Sequence, residues 1–488
     1  MNTNFLSPTA GRPWTFRTAI TIARRATTLT TLVALCALCP IIGCETMRDV
    51  KQTVRDSVVD SVEAVDAATT SKPLSREVDL IKKEPDIRVR VARASHEQHL
   101  SGPKHFVARP ATGSRSPNAL ALKPRALIGP ITISSSDRGV RVTDAAKSTT
   151  DFGFGVDIEV LASDGTINGA TELPGESIHM DGRPFPGYLT IRPKWTDAPA
   201  NFDITVTMPI ESYIPGVLSR ELYKDWPRQS FEAQAVCART YALQERGRAR
   251  ADSKVVDVED STSDQVFGGT ASLTVAAEAA RATRGWVLTE NGSLIRAYFS
   301  SQCGGRSASA ADAWSTRTAP VFNRAKALQG RPRTHYCQRS PLYRWSVTRS
   351  GDDLSKRLRA WGKSKGVELA DLTRVRSIHP KDFNDAGRPN SYTITTESAR
   401  EYSIAAEELR DACNFAVPGL APITKENRLN SGDVDVAVFG SQVRLSGRGY
   451  GHGVGLCQWC AKGMAQAGLD WRSMVDQFYP GVEVKKLY

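Results

Sequence analysis

Outside its N-terminus the sequence lacks any apolar run long enough to cross a bilayer, and its first 43 residues lack acidic side chains. The one candidate run, residues 27–43, follows four arginines. Basic residues ahead of a short apolar core are typical of a secretory signal. The core, residues 32–42, contains Pro40 and is shorter than the roughly 20 residues of a membrane-spanning helix. The sequence therefore predicts export, with a transmembrane anchor as the less favoured alternative.

The apolar run ends in Ile-Ile-Gly-Cys, with the cysteine at position 44. This ending resembles a bacterial lipobox, in which a small residue precedes a cysteine that is lipidated and becomes the mature N-terminus. We therefore predict a signal peptide at residues 1–43, cleavage before Cys44, and an extracytoplasmic lipoprotein held at a membrane. A plain signal peptide cut elsewhere is the alternative. Loss of the signal leaves 60 basic and 52 acidic residues, a net charge of about +8 instead of +12.

The sequence also lacks a zinc-finger spacing and a clear basic helix, and its positive charge is spread along the chain. These features do not favour nucleic acid, which is in any case a poor partner for an exported protein. Peptidoglycan has acidic stem peptides and suits a moderately basic exported protein better. We therefore expect the glycan strands of peptidoglycan as a partner and no nucleic acid.

The composition divides the mature chain into two parts. Residues 44–127 are polar, and their apolar residues have no sustained period, which predicts a flexible tether with at most one short helix at residues 54–68. From residue 128 onward, short β-branched runs alternate with Gly and Asp turn signals, at residues 131–134, 139–142, 156–160, 188–191 and 203–208. These runs predict a mainly antiparallel β-rich region. Helical patterns follow, so residues 128–488 are expected to fold as an α+β domain.

Three helices are predicted where the remaining apolar periodicity is strongest. Residues 227–246 begin with a proline, carry a stripe of Phe and Ala, and precede Gly247, which is expected to end the helix. Residues 456–467 follow a glycine-rich loop. Residues 470–479 have Asp470 as a candidate N-cap and Pro-Gly as the terminator.

Glu221 is the first candidate for chemistry, because it closes an apolar stretch just before Trp226-Pro227. Apolar surroundings raise the pKa of a carboxyl group by desolvation. Such a group can act as an acid and then as a base near neutral pH. Taken alone, the residue would be better explained as a solvated surface carboxylate.

Three separated blocks of sequence resemble the stage II sporulation protein D / amidase enhancer family. The opening block contains Pro209-Ile-Glu-Ser-Tyr-Ile-Pro-Gly-Val, Glu221 and Glu232-Ala-Gln-Ala-Val-Cys-Ala-Arg-Thr-Tyr-Ala-Leu. The middle block contains Tyr298-Phe-Ser-Ser-Gln-Cys-Gly-Gly and Trp314. The closing block contains Gly451-His-Gly-Val-Gly-Leu-Cys-Gln-Trp, Gly463-Met-Ala and Phe478-Tyr-Pro-Gly. The blocks occur in order over residues 126–488, which makes chance agreement improbable.

The resemblance implies a lytic transglycosylase that cuts between N-acetylmuramic acid and N-acetylglucosamine. Glu221 would protonate the leaving oxygen and then help the muramic acid hydroxymethyl oxygen close on the anomeric carbon. Because the nucleophile belongs to the substrate, no second carboxylate is required, unlike in glycoside hydrolases. The competing interpretation is a non-catalytic module that binds glycan and stimulates an N-acetylmuramoyl-L-alanine amidase, which would then be a partner. An exported scaffold lipoprotein is the third and least favoured interpretation.

The resemblance also implies which residues line or support a glycan-binding groove. They come from all three blocks, and for most of them a supporting role is as well favoured as contact with substrate: Arg239, Tyr241, Ser301, Gln302, Tyr450, His452 and Gln458.

The glycine-rich loop at residues 447–455 also resembles a phosphate cradle, but it lacks the strand and the downstream acidic residue of a dinucleotide fingerprint. We therefore expect it to approach sugar rings, with His452 and Tyr450 available to hydrogen-bond and stack. For His452, a purely structural role as a hydrogen-bonding residue is favoured equally with contact to sugar.

Six cysteines follow the lipobox, an even number that permits disulfides in an exported protein. Some relatives hold zinc with Cys and His near the middle block, but two of those positions are Ser300 and Arg306 here. A set of Cys303, His335, Cys337 and Cys457 remains a weak zinc candidate, and Cys457 and Cys460 have the spacing of a metal or redox motif. Because a pair on one helix spans less than a turn and no second such motif exists, disulfides or buried thiols are favoured, and no cofactor is expected.

Overall fold

A computed structural model describes residues 83–488, except for 113, 115–118, 120–121, 154, 167–176, 195–200, 315–319 and 333–335. The predicted signal peptide, Cys44 and the predicted helix at residues 54–68 lie outside the described residues. In the described part of the chain, every helix is too short or too polar to span a membrane.

Most of the strands run antiparallel to their neighbours, which confirms the α+β class. In chain order the strands are β1 Asp86–Ser95, β2 Glu97–Ser101, β3 His105–Pro110, β4 Arg125–Ile128, β5 Ile131–Ser136, β6 Gly139–Thr143, β7 Thr149–Phe152, β8 Ile158–Ser163, β9 Ile178–Met180, β10 Arg183–Phe185, β11 Tyr188–Lys194, β12 Asn201–Pro209, β13 Val258–Glu259, β14 Trp286–Glu290, β15 Ser293–Leu294, β16 Phe299–Ser300, β17 Trp345–Ser350, β18 Val375–Phe383, β19 Pro389–Thr396, β20 Glu401–Ala405, β21 Val434–Phe439, β22 Gln442–Gly447, β23 Leu456–Cys457 and β24 Glu483–Lys486.

The helices lie mainly in the second half of the chain. The α-helices are α1 Ile210–Glu221, α2 Arg228–Ala251, α3 Thr274–Ala282, α4 Ala310–Ala313, α5 Gly351–Lys365, α6 Ala406–Cys413, α7 Gln458–Gln466 and α8 Trp471–Phe478. Short 3-10 helices occupy Val321–Arg324, Lys326–Leu328 and Glu368–Asp371.

Two large sheets form the first half of the fold. One has the strand order β13-β1-β12-β11-β8-β3-β4 and the other has the order β10-β9-β2-β5-β6-β7. In β1, Ile87 and Val89 are buried, whereas the alternate residues Arg88 and Arg90 point the other way and pair with carboxylates. This two-residue alternation is what one buried sheet face requires.

The structure corrects the tether prediction over residues 86–127, because β1 to β4 occupy most of this stretch. Arg88 pairs with Asp257 and Arg90 with Asp203, so partners far along the chain neutralise charges that made the stretch resemble a solvated tether. The folded part of the chain therefore includes residues 86–127 and does not begin only at residue 128.

The helix predictions hold with shifted boundaries. Asp470 caps α8 by accepting a hydrogen bond from the backbone of Ser473 at 2.9 Å, as predicted. Helix α2 continues through Gly247 to Ala251, where Arg250 pairs with Asp257 and helps hold the last turn. Helix α7 starts later than predicted, since Leu456–Cys457 forms strand β23.

Three buried clusters lie behind these elements. The first joins the large sheets to α1, α2 and α3. The second surrounds the cysteines between α2, α7 and α8. The third is made from residues 345–445 alone, in which β17 to β22 pack with α5 and α6. This third unit stands in the sequence between the middle and closing blocks, and we call it the inserted subdomain.

A short parallel pair, β16 with β23, joins the middle block to the closing block. Phe299 is paired with Leu456, and Ser300 with Cys457. Helix α7 begins directly after β23, so the register of this pair decides where the first residues of α7 lie.

Candidate active site

Glu221 is the last residue of α1. Helix α1 packs tightly against the loop at residues 267–269, because Gly216 has no side chain: a Cβ there would lie 2.2 Å from the carbonyl oxygen of Gly269. The same loop segment supplies the backbone N–H of Val266, which hydrogen-bonds the Glu221 carboxylate. Small-residue packing of α1 thus brings the carboxylate to a backbone donor.

The second donor to Glu221 comes from the closing block. The Gln458 side-chain amide donates to Glu221 Oε2 at 2.9 Å. Both groups bonded to the carboxylate are neutral, and burial raises the pKa of Glu221 more than the two hydrogen bonds lower it. The predicted desolvation of Glu221 is therefore present in the structure, and a carboxyl group with a raised pKa is suited to proton transfer.

An aromatic cluster is formed by residues that closely follow Glu221 and Gln458 in the chain. Trp226 and Trp459 meet edge to face with ring centroids 5.3 Å apart, and Tyr223 packs on Trp226 at 5.5 Å. The Lys462 ammonium lies 5.3 Å from the Trp226 ring and 4.8 Å from the Trp459 ring. The sequence analysis missed this cluster, although Trp226 and Trp459 each stand next to a recognised motif.

The glycine-rich loop contacts protein backbone. Gly449, Gly451, Gly453 and Gly455 all have positive φ, between 69° and 91°. A Cβ on Gly449 would lie 2.4 Å from the Gln302 carbonyl oxygen. The glycines therefore let this loop lie directly on the middle block, with Tyr450 and Gln302 exchanging two backbone hydrogen bonds of 2.9 and 3.1 Å.

A cavity of about 350 Å³ opens on the other side of this loop. One wall is aromatic, since Tyr298 and Trp314 stack with centroids 4.4 Å apart. Helix α6 of the inserted subdomain adds charged lining residues, Glu407, Glu408 and Asp411 alongside Arg410. Glu221 does not line this cavity, but Asp264, which does, is two residues from the Val266 donor.

His452 lies in the aromatic wall, 5.0 Å from the Trp314 ring. Its Nδ1 accepts a hydrogen bond from the backbone of Val454 at 3.1 Å, and the ring also hydrogen-bonds the backbone of Phe299. Desolvation by burial lowers the pKa of His452 to about 4. The imidazole is therefore neutral at pH 7 with both nitrogens occupied by backbone, which favours the structural alternative and leaves the ring face for stacking.

Arg239 is fully buried and away from the cavity. Its guanidinium forms a two-bond ion pair with Glu211, at 2.9 and 2.8 Å, and also donates to backbone carbonyl groups. Glu211 in turn accepts from Gly285 N and from the Tyr488 hydroxyl. The structure thus gives Arg239 a supporting role and not the substrate contact that was the other alternative.

Of the remaining predicted site residues, one lines the cavity and the others contact neighbouring parts of the protein. The Tyr241 hydroxyl lines the cavity and donates to Asp264 at 2.9 Å. Tyr450 lies under the Arg428 guanidinium, 4.8 Å from the ring centroid. Gln302 is buried and accepts a hydrogen bond from Ser340, and the Ser301 carbonyl accepts from Trp459 N at 3.1 Å. Gln302 and Ser301 therefore hold neighbouring segments together and have a structural role.

Four cysteines converge directly behind Gln458. The Sγ atoms of Cys303, Cys337, Cys457 and Cys460 all lie within 4.8 Å of one another, and all four side chains are buried. Among the described residues, no cysteine takes part in a disulfide. Of the two favoured alternatives, disulfides or buried thiols, the structure has buried thiols. Cys460 belongs to the group of four, whereas His335 of the weak zinc candidate lies outside the described residues.

The structure corrects the prediction that Cys457 and Cys460 both lie on one helix. Cys457 is instead the N-cap of α7, at the end of β23, and only Cys460 is helical. A pair that straddles a helix start can turn both sulfur atoms toward one point. The two-residue spacing was thus the signal that identified this pair.

Two family models match the chain. Residues 199–289 match a stage II sporulation protein domain (SpoIID), and residues 312–455 match a domain of unknown function (DUF8618). The first match contains Glu221, and the second includes the inserted subdomain.

Three relatives share similar sequences with more than half of the chain. An uncharacterized protein of Brachyspira hyodysenteriae is 29% identical over 56% of this chain and 66% of its own length. The amidase enhancer of Bacillus subtilis is 27% identical over 55% of this chain and 39% of its own length. The stage II sporulation protein D of Bacillus subtilis is 24% identical over 57% of this chain and 75% of its own length. The chain thus spans less than two thirds of the first two relatives.

Proposed function

Because the chain belongs to the stage II sporulation protein D / amidase enhancer family, we propose that it acts on the bacterial cell wall as a peptidoglycan lytic transglycosylase, with Glu221 as both acid and base. The observation that carries this proposal is the environment of Glu221. Its carboxyl group is desolvated, has a raised pKa, and is bonded by two neutral donors.

In the proposed first step, protonated Glu221 gives its proton to the glycosidic oxygen as the bond from that oxygen to the muramic acid C1 breaks. In the second step, the carboxylate takes the proton of the C6 hydroxyl as O6 bonds to C1, which forms the 1,6-anhydro product. The proton returns to Glu221, and no water is consumed. A raised pKa supports the first step, because the acid must be protonated near neutral pH.

The two donors have a separate part in this cycle. Gln458 and the Val266 N–H bond the carboxylate in its charged form, so they lower the pKa of Glu221 against the effect of burial. Because burial raises the pKa of this carboxyl group and the two hydrogen bonds lower it, the group can lose its proton and regain it within one turnover. Their fixed positions also orient the carboxyl oxygens toward the substrate.

The aromatic cluster of Tyr223, Trp226 and Trp459 suits a sugar polymer, because its outermost ring is exposed. Tyr223, with 64% of its surface exposed, continues outward from Trp226 and Trp459. Aromatic faces bury the apolar faces of pyranose rings, whereas the polar tips remain hydrated. Together with the cavity at Trp314, this cluster gives two aromatic surfaces for a glycan strand.

The decisive experiment is to incubate the full chain with intact peptidoglycan and with peptidoglycan stripped of stem peptides by an amidase. Released fragments are analysed by mass spectrometry, with Glu221→Gln in parallel. We expect anhydro-muramic ends from the parent chain and none from the variant. The two substrates show whether stem peptides must be removed first.

A control variant separates lost chemistry from lost folding. Asp225→Asn changes an exposed carboxylate four residues from Glu221 and should release fragments at the parental rate. If the parent releases nothing from either substrate but binds both, catalysis is ruled out. Stimulation of a cell-wall amidase, the activity in the name of the Bacillus subtilis relative, would then be tested in its place.

The proposal includes where the reaction takes place. A lipid on Cys44 would hold the folded part at the extracytoplasmic face of a membrane, within reach of the wall. Radioactive palmitate labelling that is lost in Cys44→Ala would support this location. Labelling that persists in the variant would exclude this residue as the anchor.

A further inference from the structure

We propose that Cys303, Cys337, Cys457 and Cys460 bind one zinc ion as a four-thiolate site. Cys303 Sγ lies 3.8 Å from Cys337 Sγ and 3.9 Å from Cys460 Sγ. Four sulfur atoms at the Zn–S distance of about 2.3 Å define a tetrahedron with edges of about 3.8 Å. The observed sulfur separations therefore match a tetrahedral ion at the centre of the group.

The same distances disfavour the other arrangements of four cysteines. A disulfide requires sulfur atoms about 2.05 Å apart, well below 3.8 Å. A multi-iron cluster puts several iron and sulfide atoms between the protein ligands, so its thiolates are spread more widely than one tetrahedron. A single ion with a preference for thiolates and no redox chemistry fits best, and zinc has both properties.

Backbone groups point at the sulfur atoms as they do around thiolate ligands. The N–H groups of Cys303 and Cys460 both donate to Cys457 Sγ, at 3.3 and 3.4 Å. Such donors stabilise negative charge on sulfur. A buried site needs them, because four thiolates and one divalent ion together carry a net negative charge. Two ligands lie where the backbone changes direction: Cys457 is the N-cap of α7, and Cys303 precedes Gly304, whose φ is +62°.

The four ligands come from four separate segments of the chain. Cys303 follows β16, Cys457 ends β23, Cys460 lies in α7, and Cys337 comes from the segment ahead of the inserted subdomain. Because Gln458 lies between two ligands, the ion would fix the amide that bonds Glu221. The effect on Glu221 rests on the proposed function, whereas metal binding does not.

The first test measures metal in the full chain, purified under reducing conditions and dialysed against metal-free buffer. We expect about one zinc per chain by mass spectrometry of the metal. Replacement with Co²⁺ should give the absorption of tetrahedral cobalt and intense sulfur-to-cobalt charge-transfer bands. Cobalt reports the ligand type directly, independently of any activity on peptidoglycan.

Variants then assign the ligands. Cys337→Ser and Cys460→Ser should each weaken metal binding by at least tenfold and reduce the charge-transfer intensity. Cys413→Ser, in the separate core of the inserted subdomain, is the matched control and should bind metal as the parent does. If the ligand variants do not fold, Co²⁺ titration of the reduced parent still gives a stoichiometry.

Two results would overturn the proposal. One is a reduced, folded parent chain in which all six cysteines after Cys44 titrate as thiols and which binds neither Zn²⁺ nor Co²⁺. The other is mass-spectrometric detection of disulfides among the four cysteines in protein isolated from its native envelope. A metal-loaded chain that releases no glycan fragments would instead refute the proposed function and leave the metal site standing.

Discussion

Gln458 donates a hydrogen bond to Glu221 Oε2 over 2.9 Å, although the two residues lie 237 positions apart in the chain. Gln458 is the first residue of α7, and Glu221 is the last residue of α1. The bond therefore joins the end of one helix to the start of another, and it couples the opening block of sequence to the closing block. Both ends are anchored by packing, which makes the contact a positioning device for the carboxyl group.

Gln458→Ala should lower activity and move its pH profile. The Gln458 amide lowers the pKa of Glu221, so its loss lets burial raise that pKa further. Because the reaction begins with protonated Glu221, the alkaline limb of kcat/KM should move to higher pH. The rate at the optimum should fall on the order of tenfold to a hundredfold through poorer orientation. Rates of fragment release between pH 5 and 9 measure both effects.

Gln466→Ala is the matched control for this experiment, because Gln466 is an exposed glutamine at the other end of α7. It should keep the parental rate and pH profile. An equal loss of rate in both variants, without any shift of the alkaline limb, would mean that Gln458 stabilises the helix and does not position Glu221.

Glu221→Gln should be inactive but no less stable than the parent at neutral pH. Burial raises the pKa of Glu221, so the folded state binds this proton more tightly than the unfolded chain. Stability from this group is present at low pH and is lost as pH rises through the raised pKa. Glutamine does not titrate, so the variant should gain stability relative to the parent at pH 8 and nothing at pH 4. Urea unfolding at the two pH values measures the difference, and a variant less stable at pH 8 would contradict it.

The fold class and the candidate acid were predictable from sequence because both rest on local signals. Alternating β-branched runs identify β5, β6, β11 and β12, and Asp470 identifies the start of α8. Glu221 was predictable because its apolar neighbours indicate desolvation, and because the sequence blocks around it resemble the family's motifs.

The features that were not predictable depend on partners distant in the chain. Arg88 and Arg90 pair with Asp257 and Asp203, which lie more than 100 residues further along the chain. Because the local sequence does not show these partners, it predicts a solvated tether up to residue 127. Arg239 carries a charge suited to substrate, yet Glu211 and backbone carbonyl groups take up its N–H donors. None of these ion pairs can be recognised from the spacing of its two residues in the sequence.

Arg239→Met should cause a large loss of stability with no change in the rate per folded molecule. Removal of Arg239 leaves the Glu211 carboxylate buried with only Gly285 N and the Tyr488 hydroxyl as partners. Breaking a buried ion pair on one side destabilises by about 3–5 kcal/mol. Urea unfolding measures the loss, and fragment release is normalised to the folded fraction.

Two further variants test the reason for that loss. Arg239→Met with Glu211→Leu removes both charges and should recover part of the stability. Lys356→Met breaks the exposed pair with Asp352 within α5 and should lose less than about 1 kcal/mol. If Arg239→Met is instead stable but binds glycan weakly, Arg239 contacts substrate after all.

Trp314→Ala should weaken glycan binding more than catalysis. The Trp314 ring stacks on Tyr298 and contacts His452, so it forms a large part of the aromatic wall of the cavity. Loss of one such ring at a binding surface typically removes more than 1 kcal/mol, which corresponds to about a tenfold rise in KM. Phe439→Ala, at an exposed phenylalanine of the inserted subdomain, should leave KM unchanged. A fall in kcat alone would show that the cavity serves the chemistry and not the binding.

His452 should make the protein less stable in mild acid. Burial lowers the pKa of His452 to about 4, below its ordinary value of 6.5, so the folded state resists the proton that the unfolded chain accepts. Stability from this group is complete above about pH 6.5 and is lost as pH falls toward 4. The full shift corresponds to about 3 kcal/mol, and the partly exposed ring reduces this to about 1–2 kcal/mol.

His452→Gln separates this histidine from all other groups that titrate in the same range. Its stability should fall less steeply than that of the parent between pH 6.5 and 4, so that the two unfolding curves converge in acid even if the variant is less stable at pH 7. His379→Gln, at an exposed histidine of β18, should follow the parent throughout. Parallel curves for the parent and His452→Gln would show that the imidazole is protonated in the folded state, and Nδ1 could then not accept the Val454 hydrogen bond, because both ring nitrogens of an imidazolium are donors.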